Sequence, residues 1–220
     1  MKIIGHRGAA GLAPENTVKS IREAVKAGAD YIELDVRMTR DRRLVINHDS
    51  SLSRTYGVEL NVSEHTLKEL RIPCPDLPTL DDALQASQTS GVILEPKEYI
   101  EPSRILSITQ QYTKLDVRFA SFNHHFIRAL KKTNPGSFCY VLEHHSPFEI
   151  INRASKMKAD GIGLNYGVLN PLTYILAKRK NLQIYTYTIN KPWIATILSF
   201  IYKDVFICTD YPNKLLYLKK

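Results

Sequence analysis

The chain opens on a short apolar run, Ile3-Ile4, and then changes rhythm. Over 14–27 the apolar positions Val18, Ile21, Ala24 and Val25 recur at helical spacing, with Lys19, Arg22 and Lys26 on the opposite face and Gly28 at the end. Pro14 is expected to open this helix, with Glu15 in its first turn. A strand follows at 31–36, a turn at 39–43 and a second strand at 44–49, which together predict a hairpin. Between 50 and 78 Gly57, Pro73 and Pro75 interrupt every period and only 63–70 keeps a helical one, so a short irregular excursion is expected there, forming one rim of a site. From 79 onward the patterns alternate: helices at 80–87, 102–112, 124–132, 147–157, 171–179 and 192–202, strands at 91–97, 117–122, 138–142, 161–165, 183–189 and 205–209.

With the hairpin partner at 44–49 set aside, eight strands alternate with helices. That order predicts an α/β fold of the closed TIM (β/α)8 type, for which about 250 residues is typical, as a single domain over 1–220. An open doubly wound sheet is the alternative, but it would normally carry a glycine-rich nucleotide turn, and Gly8-Ala9-Ala10-Gly11 lacks that spacing. The stretch 192–202 is apolar nearly all round and is expected to be a core helix.

Composition narrows the class. Hydrophobic residues make up 44% of the chain, enough for a core, yet no apolar run approaches the roughly 20 residues that span a bilayer, so no stable membrane insertion is expected. Because Lys2-Ile3-Ile4 already reads as the first strand, a cleavable leader has no room, and a cytoplasmic protein is expected. Cys74, Cys139 and Cys208 are too few and scattered for a disulfide framework or a zinc site and read as reduced. The net charge of +8 favours anionic partners, but the basic residues form no arginine-rich or aromatic-interleaved tract, so no nucleic-acid partner is expected.

The polar residues that break the strand pattern carry the chemistry. His6 and Arg7 leave the first strand at its C-terminal end, where α/β proteins hold ligands. Glu33 and Asp35 lie two apart on a strand and share one face, which in a barrel is the interior. An isolated pair of this kind more often sits outside against Arg or Lys. Inside, two unpaired carboxylates would cost several kcal/mol each, and a hard divalent cation, Mg²⁺ or Ca²⁺, is the economical compensation. Glu95 repeats the anomaly, with Lys97 two residues on. Together these give a three-carboxylate metal site, two cations (Arg7 and Lys97) for a bound anion, and, with His48 at the end of the hairpin strand, two imidazoles. Such a set suits phosphoryl transfer.

His6-Arg7-Gly8, Pro14-Glu15-Asn16-Thr17, Glu33-Leu34-Asp35, His48-Asp49, Glu95-Pro96-Lys97 and Thr209-Asp210-Tyr211-Pro212, in this order and spacing, resemble the signature series of the glycerophosphodiester phosphodiesterase family. The resemblance spans essentially the whole chain. It implies a TIM barrel, one divalent cation, and hydrolysis of a small-molecule glycerophosphodiester to glycerol 3-phosphate and an alcohol. By position, His6 and His48 resemble the acid/base pair, Glu33, Asp35 and Glu95 the metal ligands, and Arg7 and Lys97 the phosphate clamp. The substrate's own 2-hydroxyl is the nucleophile this implies, through a cyclic phosphate. Ser121, Phe122 and Tyr187 are candidate pocket residues, Tyr187 standing where the family usually has Trp.

Pro96 replaces an aliphatic residue; since it pushes its predecessor toward extended backbone, Glu95 is expected to keep its place. His124-His125 and His144-His145 read as polar loop residues, Tyr185 and Trp193 as core, and Lys219-Lys220 as a solvated end. The alternatives are a lysophospholipase D acting on lysophospholipids and a catalytically silent barrel that only binds phosphodiesters.

Overall fold

The computed structural model describes residues 1–87, 89–144 and 146–219; His145 and Lys220, singled out above, lie outside the described residues. In chain order the elements are β1 (Ile3–Gly5), α1 (Val18–Lys26), β2 (Tyr31–Met38), β3 (Leu44–Ile46), α2 (Ser53–Tyr56), α3 (Leu67–Arg71), α4 (Leu80–Ala86), β4 (Gly91–Pro96), α5 (Pro102–Thr109), β5 (Val117–Ser121), α6 (His124–Thr133), β6 (Phe138–Glu143), α7 (Glu149–Met157), β7 (Gly161–Asn165), α8 (Pro171–Arg179), β8 (Gln183–Tyr187), α9 (Pro192–Ile201) and β9 (Phe206–Thr209). Strands β1, β2 and β4 to β9 pair in parallel and close on themselves through β1–β2 and β1–β9, giving the expected TIM barrel. The hairpin strand β3 pairs antiparallel with the far end of β2, from Val36 to Met38, and so stands above the barrel rim.

Alternation along the strands separates two cores. Outward side chains such as Leu34, Leu94, Phe119, Val141 and Ile162 pack under the helices. The inward set is Ile4, Tyr31, Ile93, Ala120, Tyr140, Leu142, Tyr185, Phe206 and Cys208. This interior is more aromatic than the branched aliphatic filling usual for such barrels. Space for the rings comes from β7, where a Cβ on Gly163 would fall 2.7 Å from the Tyr185 ring. Near the bottom the Arg118 guanidinium lies 4.4 Å from the Tyr31 ring centroid and 4.3 Å from that of Phe138. All three cysteines are buried and unbridged.

Three expectations need correction. Helix α1 begins at Val18 instead of Pro14, because Asn16 sits at φ +56 and Thr17 is the N-cap, accepting from the Ser20 N–H. The segment 63–70 is split into a 3₁₀ turn at Val62–Glu64 and α3, capped by Thr66. Finally, α9 is not a core helix. Ala195 alone is fully packed, while Trp193, Ile197, Phe200 and Ile201 are exposed, since the inner face of the helix already fills the gap over β1 and β9. Lys219 is exposed, as a solvated end is expected to be, and pairs with Asp30 at 3.1 Å. No helix among the described residues is long and apolar enough to cross a membrane.

Candidate active site at the barrel mouth

Strand register brings the acidic residues together. Asp35 on β2 stands opposite Glu95 on β4, and Glu33 lies one inward position below Asp35. One oxygen from each of the three buried carboxyl groups lies within 4.8 Å of the others. Pro96 leaves this intact: it sits opposite Val36 at the end of the ladder, and the next donor, Lys97 N–H, reaches the Val36 carbonyl at 3.0 Å.

The cluster is electrostatically frustrated. Burial, with Asp35 beside it, raises the pKa of Glu33, and burial raises Glu95 despite Lys97. Burial acts on Asp35 too, but Lys97 and Arg7 outweigh it and hold this carboxyl below its ordinary value. Lys97 Nζ bonds Glu95 Oε1 at 2.5 Å and lies 3.3 Å from Asp35 Oδ1. Arg7 Nε lies 3.3 Å from Asp35 Oδ2 yet forms no hydrogen bond among the described residues, so that donor is not consumed by the carboxylate. Three buried, hard oxygen donors with too little positive charge between them fit a divalent cation of the Mg²⁺ or Ca²⁺ type.

The loop after β1 sets the remaining groups. Arg7 adopts φ +50, which aims its N–H at Glu33 Oε2, 3.0 Å away. Gly8, at φ +86, lets α1 come close: a Cβ there would lie 2.3 Å from Ser20 Oγ. Asn16 donates from Nδ2 to Asp35 Oδ2 at 2.8 Å and accepts from the Asp35 N–H at 3.2 Å.

Each histidine is anchored through Nδ1 to its own carboxylate, leaving Nε2 as the other ring nitrogen. His6 Nδ1 is 2.7 Å from Asp210 Oδ1, and Asp210 Oδ2 accepts from Asn190 Nδ2 at 2.5 Å. Burial alone would lower the pKa of His6; the Asp210 hydrogen bond and the field of Glu33 reverse this and leave it above the ordinary imidazole value. His48 Nδ1 is 2.6 Å from Asp49 Oδ1, but Asp49 is also bound by Arg54 Nε at 2.5 Å. Burial lowers the pKa of His48, and Lys97 and Arg7 oppose the upward pull of Asp35 and Asp49, so it stays below the ordinary value. Arg54 continues to Glu15 at 2.7 Å, and Glu15 to Arg7 at 2.9 Å, so the second histidine and the first cation share one ion-pair chain.

His6, Arg7, Glu33, Asp35, His48, Glu95 and Lys97 all line one cavity of about 220 Å³, walled by Phe122, Leu142, His144, Tyr185, Tyr187 and Thr188 over Cys208. Ser121 is a correction. Ala120 faces the barrel interior, so Ser121 points outward; it is fully buried, and its Oγ accepts from the Asn123 N–H. His144 is another: it lies on the cavity wall, stacked on Phe122 at 4.3 Å. Tyr185 is both core and cavity floor. Trp193 is 61% exposed and belongs to neither. The sequence pattern marks Glu15 only as a helix residue and attaches no role to Asn16, Arg54, Asn190 or Asp210. The place of Asn16 and Asp210 within the signature motifs was the available signal.

The sequence signature of the glycerophosphoryl diester phosphodiesterase family matches residues 6–214. Among similar proteins, a glycerophosphodiester phosphodiesterase of Caldanaerobacter subterraneus subsp. tengcongensis is 29% identical over 86% of this chain and 86% of its own. The human lysophospholipase D GDPD1 is 44% identical over 41% of this chain and 28% of its own. A phosphodiesterase of Oleispira antarctica, solved in complex with the product sn-glycerol 3-phosphate, superposes with a TM-score of 0.90 at 25% identity, covering 100% of this chain and 96% of that one.

Proposed function

The chain belongs to the glycerophosphoryl diester phosphodiesterase family, and on that premise we propose that residues 1–220 act as one domain cleaving small glycerophosphodiesters to sn-glycerol 3-phosphate and an alcohol. The observation that carries this reading is the convergence in one small cavity of three clustered carboxyl groups, two cations and two carboxylate-anchored histidines. Glu33, Asp35 and Glu95 would hold one Mg²⁺ or Ca²⁺ ion, whose chemistry is to polarise the phosphoryl oxygen. Arg7 and Lys97 bind the phosphate and balance the charge that develops on phosphorus. His48, whose pKa is lowered, removes the proton from the glycerol 2-hydroxyl as that oxygen attacks phosphorus. His6, whose pKa is raised, gives its proton to the leaving alkoxide. Water then opens the cyclic phosphate, with His6 accepting its proton and His48 returning one to the 2-oxygen.

This division of roles predicts a bell-shaped pH profile for kcat/KM. The acid limb belongs to His48 and falls below the ordinary imidazole pKa; the alkaline limb belongs to His6 and falls above it. Asp210→Asn keeps an acceptor oxygen but removes the negative charge that helps raise His6, so its alkaline limb should move to lower pH while the acid limb stays. An unmoved alkaline limb would assign the acid to another group.

The cavity of about 220 Å³ brings His6, Arg7, Glu33, Asp35, His48, Glu95 and Lys97 together in a volume that suits a small polar diester, which favours water-soluble diesters over lysophospholipids. Glycerol 3-phosphate release from glycerophosphoethanolamine tests the proposal; turnover of long-chain lysophospholipids alone would favour the lysophospholipase D reading.

A further inference from the structure

Helix α9 has two apolar faces. Ile194, Ala195 and Leu198 point inward, onto Ile3, Ile189 and Ile207. Trp193, Ile197, Phe200 and Ile201 follow at i, i+4, i+7 and i+8, which places them within one outward arc of the helix. They are exposed by 61%, 49%, 77% and 54%. Other exposed apolar residues, such as Ile72 and Tyr99, stand singly on different elements and need no explanation. Here an indole, a phenyl and two branched chains occupy successive turns, and Tyr217, also exposed, is bound to the same helix, its hydroxyl 2.7 Å from Thr196 Oγ1.

Charge says what covers this face. Lys191 and Lys203 are exposed at the two ends of α9. From residue 171 to 219 the chain carries seven lysines and arginines against two acidic residues, Asp204 and Asp210, and no glutamate. Asp210 is taken up by His6 and Asn190 and Asp204 by Tyr174 and Lys178, while of the seven cations Lys178 and Lys219 are themselves paired, with Asp204 and Asp30. A second copy of the chain would bring two such cationic rims together, which like-charge repulsion opposes. An anionic lipid surface matches both features, since aromatic and branched side chains enter the headgroup boundary while the lysines meet lipid phosphates.

We propose that the outward face of α9 docks this protein, peripherally, on anionic phospholipid membranes. The helix starts at the barrel mouth: Asn190, two residues before Pro192, holds the partner of His6. A docked molecule therefore keeps its reaction cavity beside the bilayer. Docking does not depend on the catalytic reading, because none of these residues lines the cavity.

Co-sedimentation of the full chain with vesicles tests this. Vesicles of phosphatidylcholine containing phosphatidylglycerol should retain at least ~10-fold more protein than phosphatidylcholine alone, and added salt should release it. Trp193→Ser with Phe200→Ser should abolish retention while leaving thermal unfolding and turnover of a water-soluble diester unchanged. Lys191→Glu with Lys203→Glu should weaken retention without touching the apolar face. Equal binding to both vesicle types, or a Trp193/Phe200 variant retained like the parent, would overturn the proposal. So would a concentration-dependent dimer that this variant dissolves, which would give the face to a second copy.

Discussion

Exhaustive chelation is expected to abolish turnover, and back-titration with Mg²⁺ or Ca²⁺ to restore it. The reason lies in the charge balance of the mouth. Glu33, Asp35 and Glu95 place three carboxyl groups within 4.8 Å of one another in a buried setting, and Lys97 engages only two of them. Arg7 adds a contact to Asp35, but burial and the Asp35 charge still push Glu33 toward its protonated form, and Lys97 is drawn onto Glu95, away from any phosphate. A divalent cation would ionise the three carboxyl groups and free Lys97 to meet substrate. Glu95→Gln, which keeps shape but removes one charge, should raise the metal concentration needed for half-maximal activity, with turnover partly recovered at high metal. Full activity after chelation, or a Glu95→Gln enzyme with unchanged metal dependence, would contradict this assignment.

His6→Ala and His48→Ala should each lose at least ~10²-fold in kcat, the lower range for removing a positioned acid or base. The two side chains sit at strand ends, partly open to the cavity, with side-chain exposures of 21% and 29%. Neither belongs to the apolar layers of the barrel, so thermal unfolding should change little. His6→Ala leaves Asp210 still bonded to Asn190, and His48→Ala leaves Asp49 bound to Arg54, with the chain to Arg7 intact. KM should therefore rise little in either. A variant that fails to fold would make that histidine structural.

The barrel and most of its mouth were legible because alternation is a local signal. Eight apolar runs separated by helical periods leave few topologies, and Glu33-Leu34-Asp35, read as strand, must place both acids on one face. What escaped the sequence depends on distant chain segments. Asn16 was indistinguishable from a first-turn helix residue, because its left-handed backbone is fixed by Asp35 across the site. Ser121 was misplaced by one position, and a single step along a strand moves a side chain from the cavity to the wall behind it. His144 looked like loop polarity until β5 placed Phe122 beneath it. Helix α9 looked like core because its hydrophobicity cannot reveal that the space beneath it was already filled.

The central claim is that this mouth breaks the bond between phosphorus and the alcohol, leaving phosphate on glycerol. Phosphorus-31 NMR of glycerophosphoethanolamine turning over with Mg²⁺ or Ca²⁺ tests it most directly. The predicted result is stoichiometric sn-glycerol 3-phosphate, with a transient cyclic phosphate signal that accumulates when the second step is slowed. Phosphoethanolamine as product, or no turnover by the folded, metal-supplied protein, would contradict the account.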